Sequence, residues 1–107
     1  MHDWPITVLK FGSSVLRTEQ DLPRAVHEIY RWVRQGQRVI TVVSAFGGVT
    51  DNLIKKSRAY GDAPDEGARA ALIAMGEATA AAHMGLALDR AGFGDGGLRT
   101  RTAHRSA

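Results

Sequence analysis

Two short stretches of this chain carry side chains suited to handling an anion. In the first, Lys10 precedes the run Gly12-Ser13-Ser14. A lysine at the end of an apolar strand, beside the N–H groups of a turn, can neutralise a polyphosphate or a phosphoryl group in transit. The second is Ser44-Ala45-Phe46-Gly47-Gly48-Val49-Thr50-Asp51-Asn52, which leaves an apolar run, turns through two glycines and restarts as a helix at Thr50-Asp51. Backbone N–H groups at a helix start point outward, and the helix dipole favours negative charge there. Ser44 and Thr50 add hydroxyl donors on either side. Together these features make a pocket for a small carboxylate or a phosphate. The same residue types also suit a snorkelling lysine and an ordinary capped βα loop, so neither stretch alone decides between the readings. The Walker A spacing is absent.

The elements that must position these residues can be read from pattern. Ile6–Phe11 is β-branched and apolar between Pro5 and Gly12, and reads as a strand with Lys10 as a charge at its buried end. A helix is expected over Leu22–Gln35, with Asp21 as N-cap, Pro23 in the first turn and Gly36 at the stop. Its Leu22, Val26, Ile29 and Val33 share one face. Val39–Val43 is apolar on both faces, as in a parallel strand covered by helices on both sides. Strand, helix and strand then form a βαβ unit, which brings Lys10–Ser14 and Ser44–Thr50 to one edge of the sheet. A second helix is expected over Asn52–Ala59. A third, over Asp65–Ala91, should pack an alanine-rich face of Ala68, Ala71, Leu72, Met75, Thr79, Ala82 and Leu86 on the sheet. Gly76 lies inside it, as a kink or a close approach to another group, and Glu77 follows; alone, Glu77 reads as an exposed helical glutamate.

Length and composition bound the rest. The chain has 107 residues, 44% hydrophobic and 23% charged, as in an ordinary globular domain. It has no cysteine, and its histidines at 2, 27, 83 and 104 lack metal-ligand spacing, so no metal site is expected. No apolar run approaches the ~20 residues of a membrane helix, and the first residues lack a signal-peptide pattern; a cytoplasmic location with no membrane partner is expected. The net charge is +3, of which residues 94–107 supply +2. That concentration argues against nucleic-acid binding by the body of the protein. With Leu98 as their one large apolar residue, residues 94–107 are expected to be a flexible basic tail.

Val-Leu-Lys10-Phe11-Gly12, followed by Val-Val-Ser44-Ala-Phe-Gly-Gly-Val-Thr50-Asp-Asn-Leu, resembles the start of the aspartate kinases, within the amino-acid kinase family. The family pattern is Lys-Phe-Gly-Gly-Thr-Ser, then Ser-Ala-Met-Gly-Gly-Val-Thr-Asp, and Met75-Gly76-Glu77 fits a later helical Gly-Glu. The likeness covers about residues 6–93. It implies the βαβ start of a three-layer α/β/α sandwich with a mainly parallel sheet, incomplete here, residues 1–93 being its N-terminal portion.

By motif position, the resemblance implies that Lys10 holds the ATP phosphates and stabilises the transferring phosphoryl group, and that Gly12, Ser13 and Ser14 line the phosphate loop. Ser44, Gly47, Gly48, Thr50 and Glu77 would bind the amino acid, Glu77 through its ammonium group. The implied reaction moves the γ-phosphoryl group of Mg-ATP to the side-chain carboxylate of L-aspartate, giving 4-phospho-L-aspartate. The Mg2+ ligands would lie outside this chain, and the full-length parent would be a homo-oligomer.

The first loop departs from the aspartate kinase pattern. It is one residue shorter and looks more like the Lys-x-Gly-Ser-Ser of glutamate 5-kinase; some aspartate kinases fused to homoserine dehydrogenase share this feature. The family's later nucleotide and metal residues have no counterpart, so the expectation is a fragment. Its competitors are a glutamate 5-kinase-like enzyme and an inactive module that binds an anion or pairs through its sheet edge.

Overall fold

The computed structural model describes residues 5–93 and 99–102. Three parallel strands, β1 (Ile6–Phe11), β2 (Arg38–Val43) and β3 (Arg99–Thr102), lie in the order β1-β2-β3. Helix α1 (Leu22–Val33) connects β1 to β2; α2 (Val49–Arg58) and α3 (Glu66–Arg90) lie between β2 and β3. The βαβ reading holds: Ile6 to Phe11 pair in parallel with Arg38 to Val43, residue for residue.

The strand β3 corrects the expectation of a flexible tail over residues 99–102, and of a two-strand sheet. It pairs in parallel with Ile40–Val43. The expectation counted apolar side chains, whereas here the order comes from the backbone ladder that the free edge of β2 offers. Residues 94–98 and 103–107 lie outside the described residues.

Entry into α1 differs in detail from the expectation. Thr18 caps a single 3-10 turn, Glu19–Asp21, through a capping box. The Asp21 carboxylate makes no cap bond to α1 but accepts from the Arg17 N–H at 2.9 Å and the Thr18 N–H at 3.3 Å. Those bonds, the Arg17 one first, hold the Asp21 carboxyl below its usual range. The apolar face of α1 is as expected: Leu22, Ala25 and Ile29 are buried, with Val26 and Val33 packed beside them. The helix ends at Val33, two residues early, and Gly36 closes the turn at φ 79°.

The core lies between one face of the sheet and the helices. Phe11, Val39 and Val43 meet Leu16, Ile29, Phe46, Met84 and Leu88. The other face of β1 and β2 is open: Ile6 and Val8 are 57% and 61% exposed, and Lys10 and Arg38 are exposed. Lys10 therefore belongs to the open row of β1 rather than to a buried strand end, and the described helices lie on the other face of β2.

Helix α3 starts as expected, with the Asp65 carboxylate accepting from the Ala68 N–H at 2.9 Å. Its buried row is Gly76, Ala80, Met84 and Leu88. The expected packing face is instead largely outward: Met75 is 58% and Leu86 70% exposed, and Ala68, Ala71, Thr79 and Ala82 are exposed. The helix is apolar nearly all round, so spacing alone does not choose a face; Gly76 does, because only glycine permits the closest contact. A Cβ there would sit 3.0 Å from the side chains of both Leu53 and Val49. By length and composition α3 is apolar enough to match a membrane helix, more than the sequence reading allowed. In this fold it packs against α1, α2 and the sheet.

Candidate active site

The C-terminal ends of β1 and β2 lead into two turns that are joined directly. The Ser44 N–H donates to the Phe11 carbonyl at 3.2 Å, and the Gly47 N–H donates to the Leu16 carbonyl at 3.2 Å. The first turn is closed by the Gly12 carbonyl, which accepts from the N–H groups of Val15 (3.0 Å) and Leu16 (2.9 Å). A Cβ at Gly47 would lie 3.2 Å from the Ser13 carbonyl oxygen and 3.3 Å from the Arg17 Cα, so backbone approaches backbone there. Gly48 sits at φ 79° as the N-cap of α2, which therefore begins at Val49, three residues before the expected start. The left-handed conformation of Gly48 makes that earlier start possible.

This construction places Thr50 and Asp51 inside the first turn of α2. The Asn52 N–H is the first to be satisfied by the helix, donating to the Gly48 carbonyl at 3.0 Å. The N–H groups of Thr50 and Asp51 precede it and have no intrahelical acceptor. No side chain caps this end.

Beside this helix start is a cavity of about 730 Å3, lined by Ser13, Ser44, Thr50, Asp51 and Glu77 together with apolar residues of α2 and α3. Four expected site residues from three separate parts of the sequence thus meet on one space: Ser13 from the first turn, Ser44 and Thr50 from the second, and Glu77 from α3. Gly12, Gly47 and Gly48 shape the turns without lining the cavity. Ser14 and Lys10 are exposed and do not line it either. Lys10 lies on the open row of β1, one residue before the carbonyl that binds Ser44.

Asp51 was not singled out from the sequence, although its place after Thr50 at a helix start was the available signal. Its carboxylate and that of Glu77 give the lining two negative groups, and the lining contains no lysine, arginine or histidine. Carboxylates together with hydroxyls and helix N–H groups suit a small zwitterion. Among the described residues, no group of three or more His, Asp and Glu converges as a metal cluster.

The profile of the Amino acid kinase family matches residues 5–106, and the chain belongs to that family. Among curated proteins, Aspartokinase 2 of Bacillus subtilis (strain 168) is 28% identical over 109 residues, covering 95% of this chain and 27% of that protein. The aspartokinase of Helicobacter pylori (strain ATCC 700392 / 26695) is 25% identical over 87 residues, covering 81% of this chain and 22% of its own length. Among solved structures, the aspartate kinase from Synechocystis superposes with a TM-score of 0.77 at 30% identity, over 81% of this chain and 15% of that chain. The chain thus spans about a quarter of the length of the curated relatives it matches.

Proposed function

We propose that this chain is the amino-acid-binding and phosphate-binding portion of an aspartate kinase. The observation that carries this reading is the convergence of Ser13, Ser44, Thr50 and Glu77, with Asp51, on one cavity at a helix N-terminus. In this reading Glu77 and Asp51 hold the ammonium group of L-aspartate. The hydroxyls of Ser44 and Thr50 and the N–H groups that open α2 hold its α-carboxylate. The substrate is then oriented with its side-chain carboxylate towards the first turn.

The exposed turn Gly12-Ser13-Ser14 fits a phosphate chain, since a Cβ at Gly12 would meet nothing within 4 Å. Bound ATP supplies the phosphoryl group: a side-chain carboxylate oxygen forms the new bond to the γ-phosphorus as its bond to the bridging oxygen breaks, leaving ADP. Lys10 contributes positive charge at this sheet edge, where negative charge spreads over the phosphoryl oxygens. The described side chains do not fit a metal cluster of their own. Ligands for the Mg2+ that accompanies the nucleotide would come from outside this chain, as would the contacts of a homo-oligomer. A cytoplasmic location belongs to the same proposal.

The test is titration calorimetry of L-aspartate and L-glutamate against the purified chain, beside an ATP-dependent hydroxamate assay. L-Aspartate should bind, and Glu77→Ala should weaken binding at least tenfold, about the loss of one charge-assisted contact. Preference for glutamate would move the assignment to a glutamate 5-kinase-like enzyme. Saturable binding of aspartate without hydroxamate formation would mark the chain as a binding portion that needs the rest of a kinase. A folded chain that binds neither amino acid would overturn the proposal.

A further inference from the structure

The C-terminal half of α1 gathers hydrogen-bond donors on one side. His27, Tyr30, Arg31 and Arg34 stand at i, i+3, i+4 and i+7, a spacing that stacks them on a single helix face. With Gln35 they line a cavity of about 320 Å3. Each of these side chains can donate a hydrogen bond, and the lining holds no carboxylate. The cavity lies at the opposite end of the sheet from the two joined turns. There α1 ends at Val33 and leads into β2, whose Arg38 N–H donates to the Pro5 carbonyl ahead of β1.

Cations in a last helical turn ordinarily serve the helix itself, by meeting its free carbonyls and its dipole. Here the closing turn already supplies donors to those carbonyls. The Tyr30 carbonyl accepts from the Arg34 N–H at 2.9 Å, Trp32 from Gln35 at 3.1 Å and Gln37 at 3.3 Å, and Val33 from Gly36 at 3.0 Å. The Arg34 guanidinium stands 5.7 Å from the centre of the Tyr30 ring, which meets Phe93 edge-on at 5.9 Å. Stacking orients a guanidinium while leaving its N–H edge open to a ligand. Arg31 sits 3.6 Å from Glu28, whose carboxylate also accepts from the Trp32 indole N–H at 3.2 Å. Among the described residues, no carboxylate lies within ion-pair distance of Arg34.

Size and charge select the anion. Two guanidinium forks with an imidazole, a phenol and an amide suit three terminal oxygens better than the two of a carboxylate. The volume is that of a small-molecule site, with room for a phosphate group and a small organic body. A long polyanion is disfavoured, because residues 1–93 carry a net charge of only +1 and project no broad positive field.

We propose that Arg31 and Arg34, with His27 and Tyr30, bind the phosphate group of a small soluble phosphomonoester, at a site separate from the candidate active site. The inference does not rest on the proposed activity.

The test titrates phenyl phosphate into the full chain, 15N-labelled, in about 150 mM NaCl, which screens loose ion association. Amide shifts are followed by NMR. The amides of residues 27–35 should shift and saturate with a Kd on the order of 1 mM. Arg34→Ala should weaken this about tenfold or more, and Arg34→Lys several-fold, since lysine keeps the charge but not the fork. Benzoate, with the same ring and a carboxylate, should bind about tenfold more weakly. Dispersed amide signals report folding, and Arg31→Ala repeats the test if Arg34→Ala does not fold. Equal affinity for benzoate, or binding indifferent to both alanine variants, would overturn the proposal. So would shifts confined to Gly12–Ser14 and Thr50, which would place the phosphate in the candidate active site instead. A DNA duplex of about 20 base pairs that moves the same amides at lower concentration would overturn it in favour of a nucleic-acid face. Capture by phosphatidic acid vesicles without a response to phenyl phosphate would overturn it in favour of a membrane surface.

Discussion

The two faces of the sheet use the same strands and nearly the same residue types, yet they have opposite surroundings. On one, Leu9, Phe11, Val39 and Val43 lie beneath α1 and α3. On the other, Ile6 and Val8 meet solvent, and Ile40 and Val42 are half-buried beside their neighbours. Residue type therefore does not distinguish them. What does is the direction taken by the connections: α1 and α3 both return to the same face, where they also touch each other. An aliphatic residue contributes to stability only where something excludes water from it.

The sharpest way to break this comparison is to truncate one residue associated with each face. Ile29 is fully buried against the covered face, and Ile29→Ala should cost about 2–5 kcal/mol in urea denaturation. Ile6→Ala, on the open face, should change stability by no more than about 0.5 kcal/mol. Equal losses would show that the open face is covered in solution.

Next in size is Gly76→Val. The new side chain would have to displace Leu53 and Val49, each 3.0 Å from where a Cβ would lie, at a cost of about 2–3 kcal/mol. A neutral result would show that α2 can withdraw from α3, and the Thr50–Glu77 convergence should then weaken with it. A smaller effect is expected for Gly48→Ala, which forces an L-residue to φ 79° and should lose about 1 kcal/mol in the same denaturation.

Least is expected from Asp21, which lies on the exposed turn leading into α1. Its folded pKa is lowered by the Arg17 and Thr18 N–H groups, so between the folded and unfolded values the unfolded state binds more protons, and stability rises with pH there. The contribution is present above the usual carboxylate value of about 3.9 and is lost as pH falls through the lowered folded value. Thermal melts of Asp21→Asn and the parent should therefore differ most near neutral pH and converge as the pH drops below about 4. Divergence on acidification would reverse the sign of the argument.

The βαβ core was legible because its signals agree. The β-branched run before Gly12, the apolar face of α1 and the Gly36 stop all point to the same elements. The site was legible because glycines and hydroxyls cluster after each strand. The packing face of α3 was not, because alanine on every side erases the period that would mark an inside; the informative residue was Gly76, whose contacts exist only in three dimensions. β3 was hidden for a different reason. Its register comes from an edge that β2 presents, and backbone pairing leaves little trace in side-chain composition. Asp51 sat within a recognised motif, but its position in the cavity depends on the earlier helix start that Gly48 allows.

The two hydrogen bonds that tie the turns together, Ser44 to Phe11 and Gly47 to Leu16, have a kinetic consequence. Parting the two turns breaks both bonds, so the Ser44 and Gly47 amides should exchange with solvent deuterium together rather than loop by loop. A ligand held at Thr50 would then slow exchange as far away as Leu16, through two backbone bonds and with no contact of its own there.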